Sequence, residues 1–235
     1  MLIDASKVIG CNKELLQASS WAMENVALAN AAIDVLRSSC DLKLPSDDHV
    51  TMLRLAIRLI NSAGAGGDAL VSGYYQPAAA QIRDLIEVGF LIDLFRRQPQ
   101  KIQEWRTSDH LARKKNFSAF ELRKALNRDD QLSEDKRADA YQFFTSHGTH
   151  ADPDSIELTS PNRMTAVGPF PDRDRLVGLS FDLARYLAAG TEYFVLWLLQ
   201  QDTGIGPHVK VVADYINSFR GLCSELAVRT TDPRG

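Results

Sequence analysis

Apolar residues recur at intervals of three and four along most of the chain, the spacing that places them on one side of an α-helix. The longest such stretch, residues 74–95, is apolar over most of its circumference, so we expect it in the middle of a helical bundle. Gly73 precedes it as a turn residue, and Pro77 lies in its first turn, where no backbone donor is needed. The pattern predicts a central helix that ends near Arg97, before Pro99.

Two further helices are predicted before the central one. Asn12 is a suitable N-cap for a first helix that reaches Ser39. Pro45 ends that region, and Ser46 or Asp47 caps a second helix over about 48–72. Because only a short turn follows the second helix, we expect it to form an antiparallel hairpin with the central helix.

Three glycines lie close together in the second helix, at Gly64, Gly66 and Gly67. Glycine in a helix interior costs about 1 kcal/mol relative to alanine. The cluster therefore indicates a kink or a place where a neighbouring helix comes very close. It lacks the preceding strand and the Gly-Lys-Ser/Thr ending of a phosphate-binding loop, so that interpretation is disfavoured.

The rest of the chain is also helical in pattern. Residues 99–132 are polar and predict two or three short helices anchored to the core by Trp105, Leu111, Phe117, Phe120, Leu122 and Leu126. A helix ending at Gly148 follows, then an irregular loop over about 149–172 with room for a small hairpin, then helices over 173–201 and 208–228.

No succession of strands is apparent, so we predict an all-α fold, a bundle of about six to eight helices with one irregular loop insertion. Residues 1–235 are predicted to form a single helical domain. It comprises an N-terminal helix (1–45), a core hairpin (46–98), peripheral short helices (99–132) and the remaining helices of the bundle (133–228).

Composition narrows the class of protein. A net charge of -3 and an isoelectric point near 6.0 lack the overall basic character of a nucleic-acid-binding protein, although a local basic patch stays possible. The three cysteines, Cys11, Cys40 and Cys223, are far apart and have no CxxC spacing, so neither a zinc site nor a disulfide framework is indicated. Without a secretory signal or a membrane-spanning stretch, we expect a cytoplasmic protein with reduced thiols.

Two pairs of residues are the main candidates for chemistry. Arg83 and Glu87 stand four apart on the central helix, so they share a face and can form an ion pair. His147 and His150 are the only clustered histidines and lie at the predicted end of a helix. His150 could act as an acid or base with Arg83 binding an anion, or the same residues could only hold the helices in register.

Two other arrangements stay open. Glu87, His147 and His150 could hold a metal, although neither HExxH nor a third histidine supports this. The basic run that contains Arg106 and Arg113 is best explained as a solvated helix face, with a local RNA or phosphate contact as the alternative. We predict that the protein binds neither a metal nor a cofactor.

Several of these residues resemble motifs of an uncharacterised bacterial family of HEPN-like helical proteins. The family pattern G-x4-A-x4-R-x3-E matches Gly73, Ala78, Arg83 and Glu87. A second pattern, Y-x3-S-x3-H at the end of a later helix, resembles Tyr141, Ser146 and His150, with one extra residue between the tyrosine and the serine. The resemblance covers residues 50–154, less than half of the chain.

The resemblance implies an α-helical bundle, often dimeric, of the kind found in bacterial defence and toxin–antitoxin systems. Active HEPN ribonucleases carry an Arg-x4–6-His motif on one helix. Here Arg106 and His110 stand closer than this, and Arg137 and His147 stand farther apart. This departure from the ribonuclease motif favours a homodimeric binding module for RNA or a partner protein.

Two enzymatic alternatives remain, and neither is excluded by the residues. One is a metal-independent ribonuclease with Arg83, Glu87 and His150 as catalytic residues. The other is a metal-dependent hydrolase that uses Glu87, His147 and His150. The expected binding residues are Arg106, Arg113, Ser146 and His147.

Overall fold

The computed structural model describes residues 4–42, 46–132, 136–151, 153–161, 164–201 and 214–224. Within these ranges the chain is helical and contains no strand, which confirms the predicted all-α class. The helices are α1 (Ser6–Gln17), α2 (Ser20–Ser39), α3 (Asp47–Val71), α4 (Tyr75–Arg97), α5 (Gln100–Thr107), α6 (His110–Asn116), α7 (Ala119–Asp129), α8 (Lys136–Gly148), α9 (Pro153–Glu157) and α10 (Arg173–Leu199). Residues 214–224 form a further helix, α11.

The central position predicted for residues 74–95 is confirmed, because α4 packs against α3, α7, α8 and α10. It forms the expected antiparallel hairpin with α3. Gly73 joins them with a φ of 78°, and the Tyr74 N–H donates to the Ala69 carbonyl at 2.8 Å in the manner of a Schellman turn. Ser46 caps α3, as predicted, by accepting from the His49 N–H.

Glycines let the central helices come close together. A Cβ at Gly66 on α3 would lie 2.8 Å from Leu183 Cδ1 and 3.2 Å from Gln81 Cβ, which explains one of the three clustered glycines by close packing. Where α4 crosses α10, Gly89 meets Gly190, and a Cβ on Gly89 would lie 3.8 Å from the Gly190 Cα. The α4–α10 contact is therefore a crossing of two helix backbones.

The predicted N-terminal helix is wrong in its start and its continuity. Asn12 is not an N-cap but a buried residue of α1, whose side-chain amide donates to the carbonyls of Leu70 and Val71 at the end of α3. The helix then breaks, and Ser19 caps α2 by accepting from the Ala22 N–H at 3.2 Å. Asn12 caps the end of a different helix, and nothing in the neighbouring sequence distinguishes such an asparagine from an N-cap residue.

The described residues contain more helices than the six to eight predicted. The N-terminal helix is two helices, whereas residues 99–132 form three short helices, within the two or three predicted. The irregular segment contains α9 and, in the part that the structure describes, no hairpin. Of the six predicted anchors, Leu111 and Phe120 are wrong, since they are 75% and 58% exposed.

A network of ion pairs closes the bundle at the end of α4. The Asp93 carboxylate is buried and pairs with Arg96 and Arg97 at 2.6 and 2.9 Å. Arg97 also pairs with Asp130 at 2.5 Å, and Asp130 pairs with Arg137 of α8. The network joins α4, α8 and the end of α7 beside the core.

No helix in the described ranges has the length and apolar character needed to cross a lipid bilayer.

Candidate functional site

An open groove of about 660 Å³ lies beside α4, between α7 and α8, and we call it the α4–α7–α8 groove. Its charged and polar lining residues are Arg83, Ser118, Arg123, Tyr141, Gln142, Thr145, Ser146 and His150, and its apolar ones are Ala119 and Phe120. Among the described lining residues two carry guanidinium groups, those of partly exposed Arg83 and buried Arg123, and none carries a carboxylate, so the lining itself is basic on a chain of net negative charge.

The close approach of α8 to α4 brings Arg83 and His150 into the same groove. A Cβ on Gly148 would lie 2.7 Å from the Ala80 backbone nitrogen, so only glycine fits where α8 ends on α4. The Gln76 side-chain amide donates to the Gly148 carbonyl across the same contact. His150 follows two residues later, and its N–H donates to the Thr145 carbonyl at 3.1 Å.

Arg83 is held in place by three side chains. It pairs with Glu87 at 3.0 Å, as the i,i+4 spacing predicted. Its Nε donates to Thr145 Oγ1 at 3.3 Å, and one Nη donates to the Tyr141 hydroxyl. These contacts fix the guanidinium between α4 and α8 while leaving a part of it on the groove.

Tyr141 is the centre of this arrangement. The guanidinium carbons of Arg83 and Arg123 lie 4.9 and 5.1 Å from the centroid of its ring, so two cations contact one aromatic group. Burial, together with the negative charge of Glu87, raises the pKa of Tyr141, and Arg83 opposes the shift. The hydroxyl therefore stays protonated, and it donates a hydrogen bond to the Glu87 carboxylate at 3.4 Å.

The start of α7 adds two features to the opposite wall. Ser118 caps α7. The first residues of this helix, Ser118, Ala119 and Phe120, line the groove, so the positive end of the α7 dipole lies there. The Phe120 ring is more than half exposed beside the two arginines. A negatively charged group at the arginines would therefore have a flat apolar surface next to it.

The predicted catalytic residues are partly brought together. Arg83 and His150 line the groove, and Glu87 lies behind Arg83 without lining it. Of the predicted binding residues, Ser146 lines the groove. Arg106 instead pairs with Asp47 and Asp48 in the first turn of α3, at 2.9 and 3.4 Å. Arg113 is on the exposed surface of α6 and does not line the groove.

His147 lies on the other side of the α8 end. It stacks on Phe143 with a 4.1 Å centroid separation, and its Nε2 lies 3.8 Å from a Glu157 carboxylate oxygen. It lines a different groove from His150, which it shares with Asp172, Asp182 and Arg175. In the ranges that the structure describes, no three His, Cys, Asp or Glu side chains are grouped as metal ligands.

Seven groove residues were not predicted from the sequence as site residues: Ser118, Ala119, Phe120, Arg123, Tyr141, Gln142 and Thr145. Phe120 was assigned to the core because it is apolar and adjacent to an apolar pattern. Arg123 stands in a charged segment and has no spacing that relates it to Tyr141, so only the packing of α7 on α4 and α8 brings these two together.

Comparison with models of protein families, with curated proteins and with solved structures found no match to this chain. The HEPN-like resemblance therefore stays a prediction.

Proposed function

We propose that this chain is a binding module for phosphate-bearing ligands, with single-stranded RNA as its ligand, and that it binds them in the α4–α7–α8 groove. The observation that carries the proposal is Arg83, which is partly exposed on the groove and lies against the Tyr141 ring that buried Arg123 also contacts, with no carboxylate among the described lining residues. Guanidinium groups bind phosphate oxygens with strong, charge-assisted hydrogen bonds.

Other features of the groove support RNA over a free phosphate ion. The positive end of α7 favours an anion at Ser118. Exposed Phe120 offers a ring on which an unpaired base can stack, an interaction worth about 1–3 kcal/mol per base. At 660 Å³, the open groove is larger than one phosphate ion requires.

The test is binding of a fluorescently labelled, mixed-sequence single-stranded RNA, measured by anisotropy at several salt concentrations. Arg83→Gln should weaken binding. The plot of log K against log salt concentration should also become shallower, its negative slope decreasing in magnitude by about 0.7, the value for one phosphate contact on a single strand. Arg106→Gln is the matched control, because it removes the same charge where Asp47 and Asp48 neutralise it. Equal affinities and slopes for the two variants would contradict the proposal.

A second candidate function is a metal-independent ribonuclease with His150 as acid or base, Arg83 on the phosphate and Glu87 orienting Arg83. It is favoured by the position of Arg83 and His150 in one open groove. Mixed RNA incubated with the wild type should be cleaved in the presence of a chelator, and His150→Ala should abolish cleavage. Equal cleavage by both, or cleavage by neither, would exclude this candidate.

The HEPN-like resemblance supports a further part of the proposal, a cytoplasmic homodimer acting in bacterial defence or a toxin–antitoxin system, with RNA or a partner protein bound. Light scattering should then give twice the 26.1 kDa mass of the chain. The alternative of a metal-dependent hydrolase through Glu87, His147 and His150 has less support, since the two histidines line different grooves.

A further inference from the structure

A further recess lies between α4, α8 and α10, and we call it the α4–α8–α10 cavity. Its volume is about 200 Å³, and its walls are largely apolar, with Leu85, Ile86, Phe90 and Ala140 among them. An apolar cavity of about 150 Å³ is already large enough to bind benzene. The cavity therefore has room for one aromatic ring and a small substituent.

Two glycines line this space. Gly89 and Gly190 both line the cavity, at the place where α4 crosses α10. A Cβ on Gly89 would meet only the Gly190 Cα, at 3.8 Å, which is an ordinary contact. Packing therefore does not require glycine at position 89, and alanine there would favour the helix by about 1 kcal/mol.

The polar groups of the cavity favour a negative charge. Arg137 lines it, and so do the tyrosines Tyr186 and Tyr193. Among the described residues, the Tyr193 hydroxyl has no hydrogen-bond partner. Burial raises the pKa of Tyr193, helped by the charge of Asp93 and opposed by Arg137 and Arg97, so its hydroxyl keeps a proton to donate.

Among the described residues, the ion-pair network behind the cavity holds one more positive charge than negative. Arg96, Arg97 and Arg137 face two carboxylates, those of Asp93 and Asp130, so the network holds three positive and two negative charges. The nearby Glu192 is exposed on α10, where solvent screens its charge. An anion at Arg137 would balance the network.

We propose that the α4–α8–α10 cavity binds a small aromatic or branched carboxylic acid. Its apolar body lies against Ile86, Phe90 and Ala140, and its carboxylate accepts hydrogen bonds from Arg137 and Tyr193. The site is separate from the α4–α7–α8 groove, and binding of an acid there does not depend on RNA binding.

The test is a methyl NMR titration of the full chain, labelled at isoleucine and alanine, with benzoate, phenylacetate and 3-methylbutanoate. We expect saturable shifts of the Ile86, Ala140 and Ala189 methyl groups with at least one of these acids. Benzyl alcohol, which has the ring without the charge, should bind at least about fivefold more weakly than benzoate. An absence of saturable shifts at these methyl groups with all three acids would overturn the proposal.

Variants localise the binding. Gly89→Ala should weaken benzoate binding about tenfold, because a methylene-sized change in an apolar pocket has effects of this order. Gly64→Ala is the matched control, since it makes the same substitution on an exposed helical position with nothing within 4 Å. Tyr193→Phe removes only the hydroxyl and should weaken benzoate but not benzyl alcohol relative to the wild type. Equal benzoate affinity for Gly89→Ala and Gly64→Ala, or equal affinity of the wild type for benzoate and benzyl alcohol, would refute the proposal.

Discussion

Replacing Gly148 by alanine should separate the two sides of the α4–α7–α8 groove. The added Cβ would lie 2.7 Å from the Ala80 nitrogen and 2.8 Å from the Ala79 carbonyl carbon. Both are backbone atoms of α4 and cannot rotate away as a side chain can. The end of α8 must therefore move from α4 by about 0.7 Å, the difference between 2.7 Å and the 3.4 Å at which ordinary contacts begin.

The cost of this movement follows from what the contact contains. Overpacking a tight contact costs about 1–3 kcal/mol. The Gln76 hydrogen bond to the Gly148 carbonyl also lengthens, a loss of about 1 kcal/mol at most. Alanine regains a few tenths of a kcal/mol in helix propensity at the last residue of α8. We expect a net loss of about 1–3 kcal/mol, or a fall in Tm of about 2–6 °C for a chain of this size.

The measurement is thermal unfolding followed by circular dichroism at 222 nm, with Gly64→Ala beside Gly148→Ala. Nothing lies within 4 Å of a Cβ at position 64, so that variant should be as stable as the wild type or more stable. RNA affinity, if present in the wild type, should fall in Gly148→Ala and not in Gly64→Ala. A Gly148→Ala protein that unfolds at or above the wild-type temperature would show that α8 does not meet α4 in this way.

Two further predictions concern titration. Hydrogen bonds from Arg97 and Arg137 lower the pKa of Asp130, so this carboxylate stabilises the fold above about pH 4 and loses that contribution as the pH falls through its folded-state pKa. The difference in free energy of unfolding between wild type and Asp130→Asn, measured with urea, should therefore shrink from pH 5 to pH 2, and a difference that stays constant would contradict the assignment. Burial, with the Glu192 charge, raises the pKa of Cys223 to about 11. At pH 8 iodoacetamide should therefore label Cys223 roughly a hundredfold more slowly in the folded chain than in urea, as measured by mass spectrometry of the Cys223 peptide, and equal rates would refute this.

The elements that could be predicted from the sequence are those set by local spacing. The apolar pattern identified α4 and its central place, Gly73 identified the turn, and the four-residue interval identified the Arg83–Glu87 pair. Each depends on residues that are neighbours in the chain. Helix periodicity and capping chemistry act over this range, so the sequence alone was sufficient.

The parts that could not be predicted depend on residues distant in sequence. The ion pairs of Arg106 with Asp47 and Asp48, nearly sixty positions earlier, were not predicted. Asn12 was expected to start a helix, but it binds carbonyls at the end of α3. Phe120 carries an apolar side chain on a helix too short for its pattern to show which face is exposed. For Arg106 and Asn12 the contacting residues belong to another helix, and spacing along the chain does not identify them.

The crossing of Gly89 and Gly190 has a consequence for how the chain folds during synthesis. The two glycines are about one hundred positions apart, so α4 emerges from the ribosome long before α10. Until α10 is made, a large apolar face of α4 has no partner and remains exposed to water. At a translation rate of about 5–20 residues per second this interval lasts about 5–20 seconds. During that time the nascent chain is open to aggregation and to chaperones, and truncation before α10 would make this exposure permanent.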